Sequence, residues 1–320
     1  MILRFLFELL PTKWSFFAAL LCTSIISVSQ EYGGNEELRI NSNVYGTLLT
    51  PDQPTTTLAI IIPGSGPTDR NGNQQMARSN TLKLLAEGLA QKGIASYRYD
   101  KRVLTLLKQN ALREDKLSFD MFIDDAISTV SFFKEEGRFS NIYIIGHSQG
   151  SLVGMVAAQK TSVDGYVSLA GAGQSIDNTI VNQIALQMPD LEKQAINAFK
   201  TLKEEGAVKD FSPALNSILR PSLQPFMRSW MVYDPQAEIA KLEGENVLIL
   251  TGDNDVQVSL EEAHLLQEGN SKATLIVIDG MNHVLRIIKG DDLENTKSYN
   301  QPNLPLAPEV VNTIAQFILD

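Results

Sequence analysis

The chain has 320 residues, with 37 acidic against 27 basic side chains and a formal net charge of −10 at neutral pH. That balance disfavours nucleic acid and anionic membrane surfaces as partners and suits a protein handling neutral or cationic small molecules. Hydrophobic residues make up 43 % and the length is ample for a packed core, while a single cysteine, Cys22, excludes an internal disulfide framework.

Taken in chain order, residues 1–29 differ from the rest. Arg4 and Lys13 precede an apolar run, Trp14 to Ile26, and the small residues Ser27 and Ser29 follow it. This is the plan of a secretory signal peptide, so the expectation is export to the periplasm or the exterior, with membrane anchoring if the segment is retained. Cys22 lacks the small preceding residue of a lipoprotein box. Beyond the leader, Asn35 to Leu49 reads as an antiparallel hairpin. Leu58–Ile62 reads as a buried strand running into Pro63-Gly64-Ser65-Gly66-Pro67-Thr68-Asp69-Arg70-Asn71-Gly72-Asn73. A Gly-rich turn of this kind can aim backbone N–H groups at a developing oxyanion. No Gly-Lys-Ser/Thr follows it, so it is not a phosphate loop.

Further apolar runs at Ile94–Tyr99, Ile142–Ile145, Gly165–Leu169, Val247–Leu250 and Leu275–Ile278 alternate with helical periodicity at Thr81–Lys92, Phe119–Glu136, Leu260–Glu268 and Ala307–Leu319. Alternation of near-continuous Val/Ile/Leu strands with helices implies an α/β fold, a mostly parallel sheet covered on both faces. Residues 173–244 break the rhythm: they carry helical patterns interrupted by Pro189, Pro213, Pro221 and Pro225, and no strand signal. The division is therefore a core of residues 30–172 and 245–320 with a helical insertion at 173–244. The chain has no internal repeat and no low-complexity tract.

Gly146-His147-Ser148-Gln149-Gly150 sits between the strand ending at Ile145 and the small, apolar helical run Ser151 to Ala158. Strand, sharp turn and helix are the context of a G-x-S-x-G nucleophile elbow. Ser148 needs a base and a group to orient that base. Of three histidines, His147 is inside the elbow and is directed away from the serine, and His264 lies in a helical pattern suited to the surface. His283 follows a late strand in the loop Asp279 to His283 and is the candidate base. With the chain order serine, acid, histidine that accompanies such an elbow, the acid lies in Thr251-Gly252-Asp253-Asn254-Asp255. Asp255 is favoured over Asp253 because it falls further into the loop, and Asp279 is a weaker third candidate. The oxyanion donors would be the N–H groups of Ser65 and Gln149.

These segments resemble the α/β-hydrolase superfamily and, within it, bacterial carboxylesterases with a Pro-Gly-Ser-Gly-Pro-Thr-Asp-Arg-Asn-Gly-Asn loop. Gly93 to Arg102, Gly146 to Gly150, Thr251 to Val258 and Gly280 to His283 share the likeness, which extends from about Gly46 to the C-terminus. The resemblance implies Ser148 as nucleophile, Asp255 as acid, His283 as base, and Ser65 and Gln149 as oxyanion donors. It also implies that the insertion is a cap over the site, with Phe211, Leu215, Leu219, Phe226, Met227, Trp230 and Met231 as candidate pocket residues or as packing. Val103-Leu104-Thr105-Leu106-Leu107 departs from the glycine-rich turn that relatives carry after Asp-Lys-Arg, leaving the shape of that segment open.

The expected activity is hydrolysis of small acyl esters through an acyl-enzyme, with a small-molecule ester as partner and no metal or cofactor. The chain has no H-E-x-x-H, C-x-x-C or Rossmann motif. A serine aminopeptidase with the same triad, using Glu204, Glu205 or Asp210 to hold an amine, is the alternative, and a silent binding protein on the same fold is another.

Overall fold

The computed structural model describes residues 33–242 and 246–320. The expected leader at 1–29, with Cys22, and the end of the insertion lie outside them. Among the described residues no helix is long and apolar enough to cross a membrane.

Among the described residues, eight strands form one sheet: β1 (Asn35–Arg39), β2 (Tyr45–Leu49), β3 (Thr57–Ile62), β4 (Ala95–Tyr99), β5 (Asn141–His147), β6 (Gly165–Leu169), β7 (Asn246–Gly252) and β8 (Thr274–Ile278). Their order is β1-β2-β4-β3-β5-β6-β7-β8. The leading hairpin pairs antiparallel, β2 meets β4 antiparallel, and every later pair is parallel. The charged strand β1, with the sequence Asn-Glu-Glu-Leu-Arg, occupies one edge, where ionic side chains discourage pairing with another chain.

The apolar runs are buried because both sheet faces are covered, and side chains divide between the faces with period two. In β3, Leu58, Ile60 and Ile62 join one core while Ala59 and Ile61 join the other. β7 repeats the division, with Val247 and Ile249 against Leu248 and Leu250. The helices follow as α1 (Thr81–Gln91), α2 (Arg102–Lys108), α3 (Asp120–Glu136), α4 (Gln149–Thr161), α5 (Ile176–Gln187), α6 (Glu192–Glu205), α7 (Asn216–Leu219), α8 (Gln224–Met231), α9 (Pro235–Ile239), α10 (Leu260–Gly269), α11 (Asp292–Ser298) and α12 (Pro308–Leu319). Leu82, Leu85 and Leu89 of α1 and Val310, Ile314 and Ile318 of α12 fill one core. Residues of α3, α4 and α10 fill the other, which continues into α6 and α8 through Phe199, Leu202, Phe226 and Met227.

The departure at Val103–Leu107 is a short helix, α2, in which Arg102 clasps buried Asp125 through two hydrogen bonds of 2.8 and 2.6 Å. Between β6 and β7 the described part of the insertion is helical throughout its regular elements. It is tied to the core by Trp230 stacked on Phe119 at 5.4 Å, and by Arg220 paired with Glu114.

The direction of winding reverses at β3, whose neighbours are β4 and β5. In an open α/β sheet a crevice forms outside the carboxyl ends of the strands at such a reversal. The Gly-rich loop and the Gly146–Gly150 turn leave β3 and β5 at that point.

Arg286 is the largest fully buried side chain among the described residues. Its guanidinium donates to the carbonyls of Ser79 (2.7 Å) and Val284 (3.1 Å), joining the segment after β8 to the start of α1, and burial pushes its pKa down to about 10. Arg286→Ala, which strands these carbonyls and leaves a void, is expected to destabilise the protein by roughly 3 kcal/mol. Urea denaturation at neutral pH checks the loss.

Candidate active site

Ser148 follows β5 with φ 55° and ψ −123°, a left-handed φ that a side chain rarely tolerates. Its N–H donates to the Leu169 carbonyl at 2.9 Å, so the strained residue is pinned to the end of β6. The turn closes only because Gly150 lacks a side chain. A Cβ there would lie 2.8 Å from the Pro63 carbonyl oxygen and nearer still to that of Ile62. The loop after β3 comes equally close: a Cβ on Gly64 would stand 3.2 Å from the Ser148 Cβ.

His283 and Asp255 meet across the ends of β8 and β7. The Nδ1–H of His283 donates to Asp255 Oδ2 at 2.7 Å, with the side chains only 6 % and 1 % exposed. The acceptor is a carboxylate, so the shared proton resides on Nδ1 in the neutral ring, leaving the Nε2 lone pair free. The other carboxylate oxygen, Asp255 Oδ1, accepts from the N–H groups of Gln257 and Val258 (2.8 and 2.9 Å). Asp253 is exposed and instead accepts from Gly280 N–H at 2.7 Å, steadying the histidine loop from outside. Asp279 and His264 are exposed. His147 Nε2–H donates to the His283 carbonyl at 2.9 Å, buttressing the loop.

A buried amide network completes this arrangement. Asn282 Nδ2 donates to Asn295 Oδ1 and Ser298 Oγ, Asn282 Oδ1 accepts from Arg286 N–H, and Asn295 Nδ2 reaches the Asn254 carbonyl. The neighbour of His283 and the neighbour of Asp255 are thus fastened to the same short helix, α11. The sequence reading did not identify α11; its signal is Asp291, whose carboxylate caps the helix by accepting from Glu294 N–H.

The loop after β3 is built, not slack. Asp69 accepts from the N–H groups of Asn71 and Asn73, both at 2.8 Å, and Thr68 and Gln74 donate to the Ser65 carbonyl. Arg70 spans Asp100, Thr47 and Glu37 and holds the loop to β2 and β4. Among the described residues, no acceptor takes the Ser65 N–H. Gln149 is the first residue of α4, where the N–H has no partner within the helix. A further residue unremarked in the sequence reading, Lys101, is 4 % exposed, and its Nζ donates to the Gly64 carbonyl at 2.6 Å and to the Gln149 side-chain oxygen.

Ser148 stands between two cavities. One, of about 250 Å³, is lined by Leu152, Ile176, Ile180, Trp230 and Val258, with Gln174, Thr179 and Gln183 among the polar groups. The other, of about 270 Å³, is lined by His283, His147, Ser65, Gln74, Ser79 and Tyr299. Neither is lined by an Asp, Glu, Lys or Arg of the described residues. Of the seven apolar insertion residues singled out in the sequence, only Trp230 faces this space; α5 contributes Ile176, Thr179, Ile180 and Gln183 to the wall, while Leu215, Leu219, Phe226, Met227 and Met231 pack inside. Glu204, Glu205 and Asp210 are exposed and line neither cavity. Among the described residues no group of three or more His, Cys, Asp or Glu is arranged to hold a metal.

Burial, reinforced by nearby His283, pushes His147 down to about 4. The unfolded ring, near its ordinary value of 6.5, binds the proton more readily than the folded one. The contribution of His147 to stability is therefore complete above about pH 6.5 and declines as pH falls toward 4. Melting curves from pH 7 to 5, above the carboxylate range, are expected to show this decline in the parent protein and a shallower one in His147→Gln.

The family described as serine aminopeptidase, S33 matches residues 76–217. Esterase EstD of Thermotoga maritima is 25 % identical over 268 residues, 81 % of this chain and 61 % of that protein, so the match spans less than two thirds of the relative. Among solved structures, Est1E from Butyrivibrio proteoclasticus superposes with a TM-score of 0.57 at 18 % identity, covering 90 % of this chain and 100 % of that one. An esterase of Pyrococcus furiosus gives 0.53 at 15 % identity, covering 89 % of each. The strand order, the turn after β5 and these likenesses agree: the chain has the α/β-hydrolase fold and is similar to esterases.

Proposed function

We propose that the protein is a serine carboxylesterase acting on neutral esters of small acids. The observation that carries this reading is the hydrogen bond from His283 Nδ1–H to buried Asp255, with His283 lining the same cavity as Ser148. His283 Nε2 takes the Ser148 proton as Oγ attacks the ester carbonyl, and Asp255 stabilises the imidazolium. The N–H groups of Ser65 and Gln149 receive the oxyanion. The imidazolium then protonates the departing alkoxide, and water repeats the sequence on the acyl-enzyme to release the acid.

The two cavities divide the substrate between them. Since His283 must reach the leaving oxygen, the cavity that it lines takes the alcohol, and the one walled by Trp230, Ile176 and Ile180 takes the acyl chain. Their uncharged walls favour a neutral ester over an amino-acid amide, whose ammonium would need a carboxylate. The segment 173–242 acts as a cap by supplying the acyl wall from α5 and α8. Export through the segment at 1–29 belongs to the same proposal and accords with the esterase reading.

Turnover of p-nitrophenyl esters from acetyl to decanoyl is expected to exceed that of amino-acid p-nitroanilides. Ser148→Ala and His283→Ala each lose about 10⁴-fold or more in kcat while keeping the parental melting temperature. Preferential turnover of the anilides would instead favour the aminopeptidase reading. A folded protein with no turnover, and no labelling of Ser148 by a fluorophosphonate, would leave a binding protein. Asp255→Asn is expected to cost far more activity than Asp253→Asn, and the reverse order would transfer the acid role. Trp230→Ala, by enlarging the acyl wall, moves the preferred chain length upward.

A further inference from the structure

We infer that Lys101 is a positioning residue for the oxyanion hole, its buried ammonium gripping the two residues whose N–H groups would receive the oxyanion. This rests on the esterase reading above. The Gly64 carbonyl that accepts from Lys101 Nζ at 2.6 Å belongs to the same planar peptide group as the Ser65 N–H. Fixing the oxygen end therefore fixes the direction of the N–H end. Donation to the oxygen also polarises the amide and strengthens its N–H as a donor. The second bond, to Gln149 Oε1, ties down the residue that supplies the other N–H. One side chain thus sets the spacing of two donors that come from loops 84 positions apart in the sequence.

Lys101 is an unusual choice if the bond is merely structural. It is 4 % exposed, lies over the Phe122 ring at 4.5 Å, and pairs with no carboxylate among the described residues. Its chain neighbour Asp100 is engaged by Arg70 and Lys108, and Asp125, which lines the same small cavity as Lys101, by Arg102. Burial without a counterion pushes its pKa down to about 7, so retaining the charge is costly. A neutral donor would tie the same two oxygens at smaller cost. What the protonated amine adds is a positive potential behind the amides, where negative charge develops during attack, in a site that water screens poorly.

The test uses the full chain with p-nitrophenyl acetate and two inhibitors, an aryl trifluoromethyl ketone and its methyl ketone parent. The former places an oxyanion in the hole on addition of Ser148; the latter reports ground-state binding. Lys101→Met is expected to lower kcat about 10²–10³-fold, to leave KM within about threefold, and to weaken the trifluoromethyl ketone in parallel with kcat. Affinity for the methyl ketone should be unchanged. Gln149→Ala, which keeps its backbone N–H, is expected to show a smaller loss of the same kind, and the two losses to be less than additive in the double variant.

If kcat of Lys101→Met stays within about threefold of the parent, or if it falls while trifluoromethyl ketone affinity is unchanged, the inference is wrong. Should Lys101→Met fail to fold, Gln149→Ala carries the test, and parental kcat and ketone affinity in that variant overturn it. An inactive parent whose Ser148 is not labelled defeats the esterase reading and this inference together. An active parent with unimpaired Lys101 and Gln149 variants defeats this inference alone.

Discussion

At the carboxyl ends of β3 and β5 the backbone of Gly150 presses against the Ile62 and Pro63 carbonyls, a contact that no other residue type permits. Much of the site follows from it. It allows α4 to start directly over the sheet, and this in turn holds Ser148 in its left-handed conformation. Such strain costs about 1–3 kcal/mol and persists only where its surroundings over-determine it. Here the surroundings are the parallel pairing of β5 with β3 and β6, the Ser148 N–H bond to Leu169, and the buried small residues of α4. The same contact brings the Gly64–Ser65 peptide beside Ser148, so one close approach assembles the serine and both proposed oxyanion donors.

Charge is placed around this site, not in it. The chain is strongly acidic, yet no Asp, Glu, Lys or Arg of the described residues lines the cavities beside Ser148. Paired charges stand behind the walls. Arg70 with Asp100 and Glu37 anchors the loop after β3, and Arg102 with Asp125 anchors α2 on α3. Arg286 and the amides of Asn282 and Asn295 hold the segment that carries His283. Most polar atoms of these groups find hydrogen-bond partners, which offsets the desolvation of the buried ones. Lys101, like Arg286, meets only neutral oxygens, but those it meets belong to Gly64 and Gln149 beside Ser148, which is why its position behind the loop carries functional weight.

Under the proposed function, the insertion bears on selectivity through a different physical term. Its aromatic cluster, Trp230 with Phe119 and Phe226, packs α8 onto the core and leaves one face of Trp230 to the cavity, while α5 lays Ile176 and Ile180 along the same wall. In the proposed esterase, a wall made in this way would discriminate acyl groups by size and apolar area. Each methylene accommodated there is worth about 0.8 kcal/mol, enough to grade substrates by chain length without excluding neighbours outright.

Much of this was legible in the linear order of residues. The Val/Ile/Leu runs specify strands buried on both faces, since only a sheet covered on both sides hides every residue of Leu58–Ile62 or Gly165–Leu169. The glycines around Ser148, between a strand and a small-residue helix, specify the elbow because the steric requirement is local. Asp255 could be ranked above Asp253 by its place in the loop, and in the structure it is Asp255 that bonds His283 while Asp253 turns to Gly280. What only the tertiary structure decided involves partners far apart in the chain: Lys101 against Gly64 and Gln149, Arg286 against Ser79, Asn254 against Asn295, and the choice of α5 over most of α8 to wall the cavity. Local sterics and periodicity are written in neighbouring residues. The pairing of a buried charge or amide is set by whichever group the fold brings within 3 Å of it, and no spacing along the chain encodes that distance.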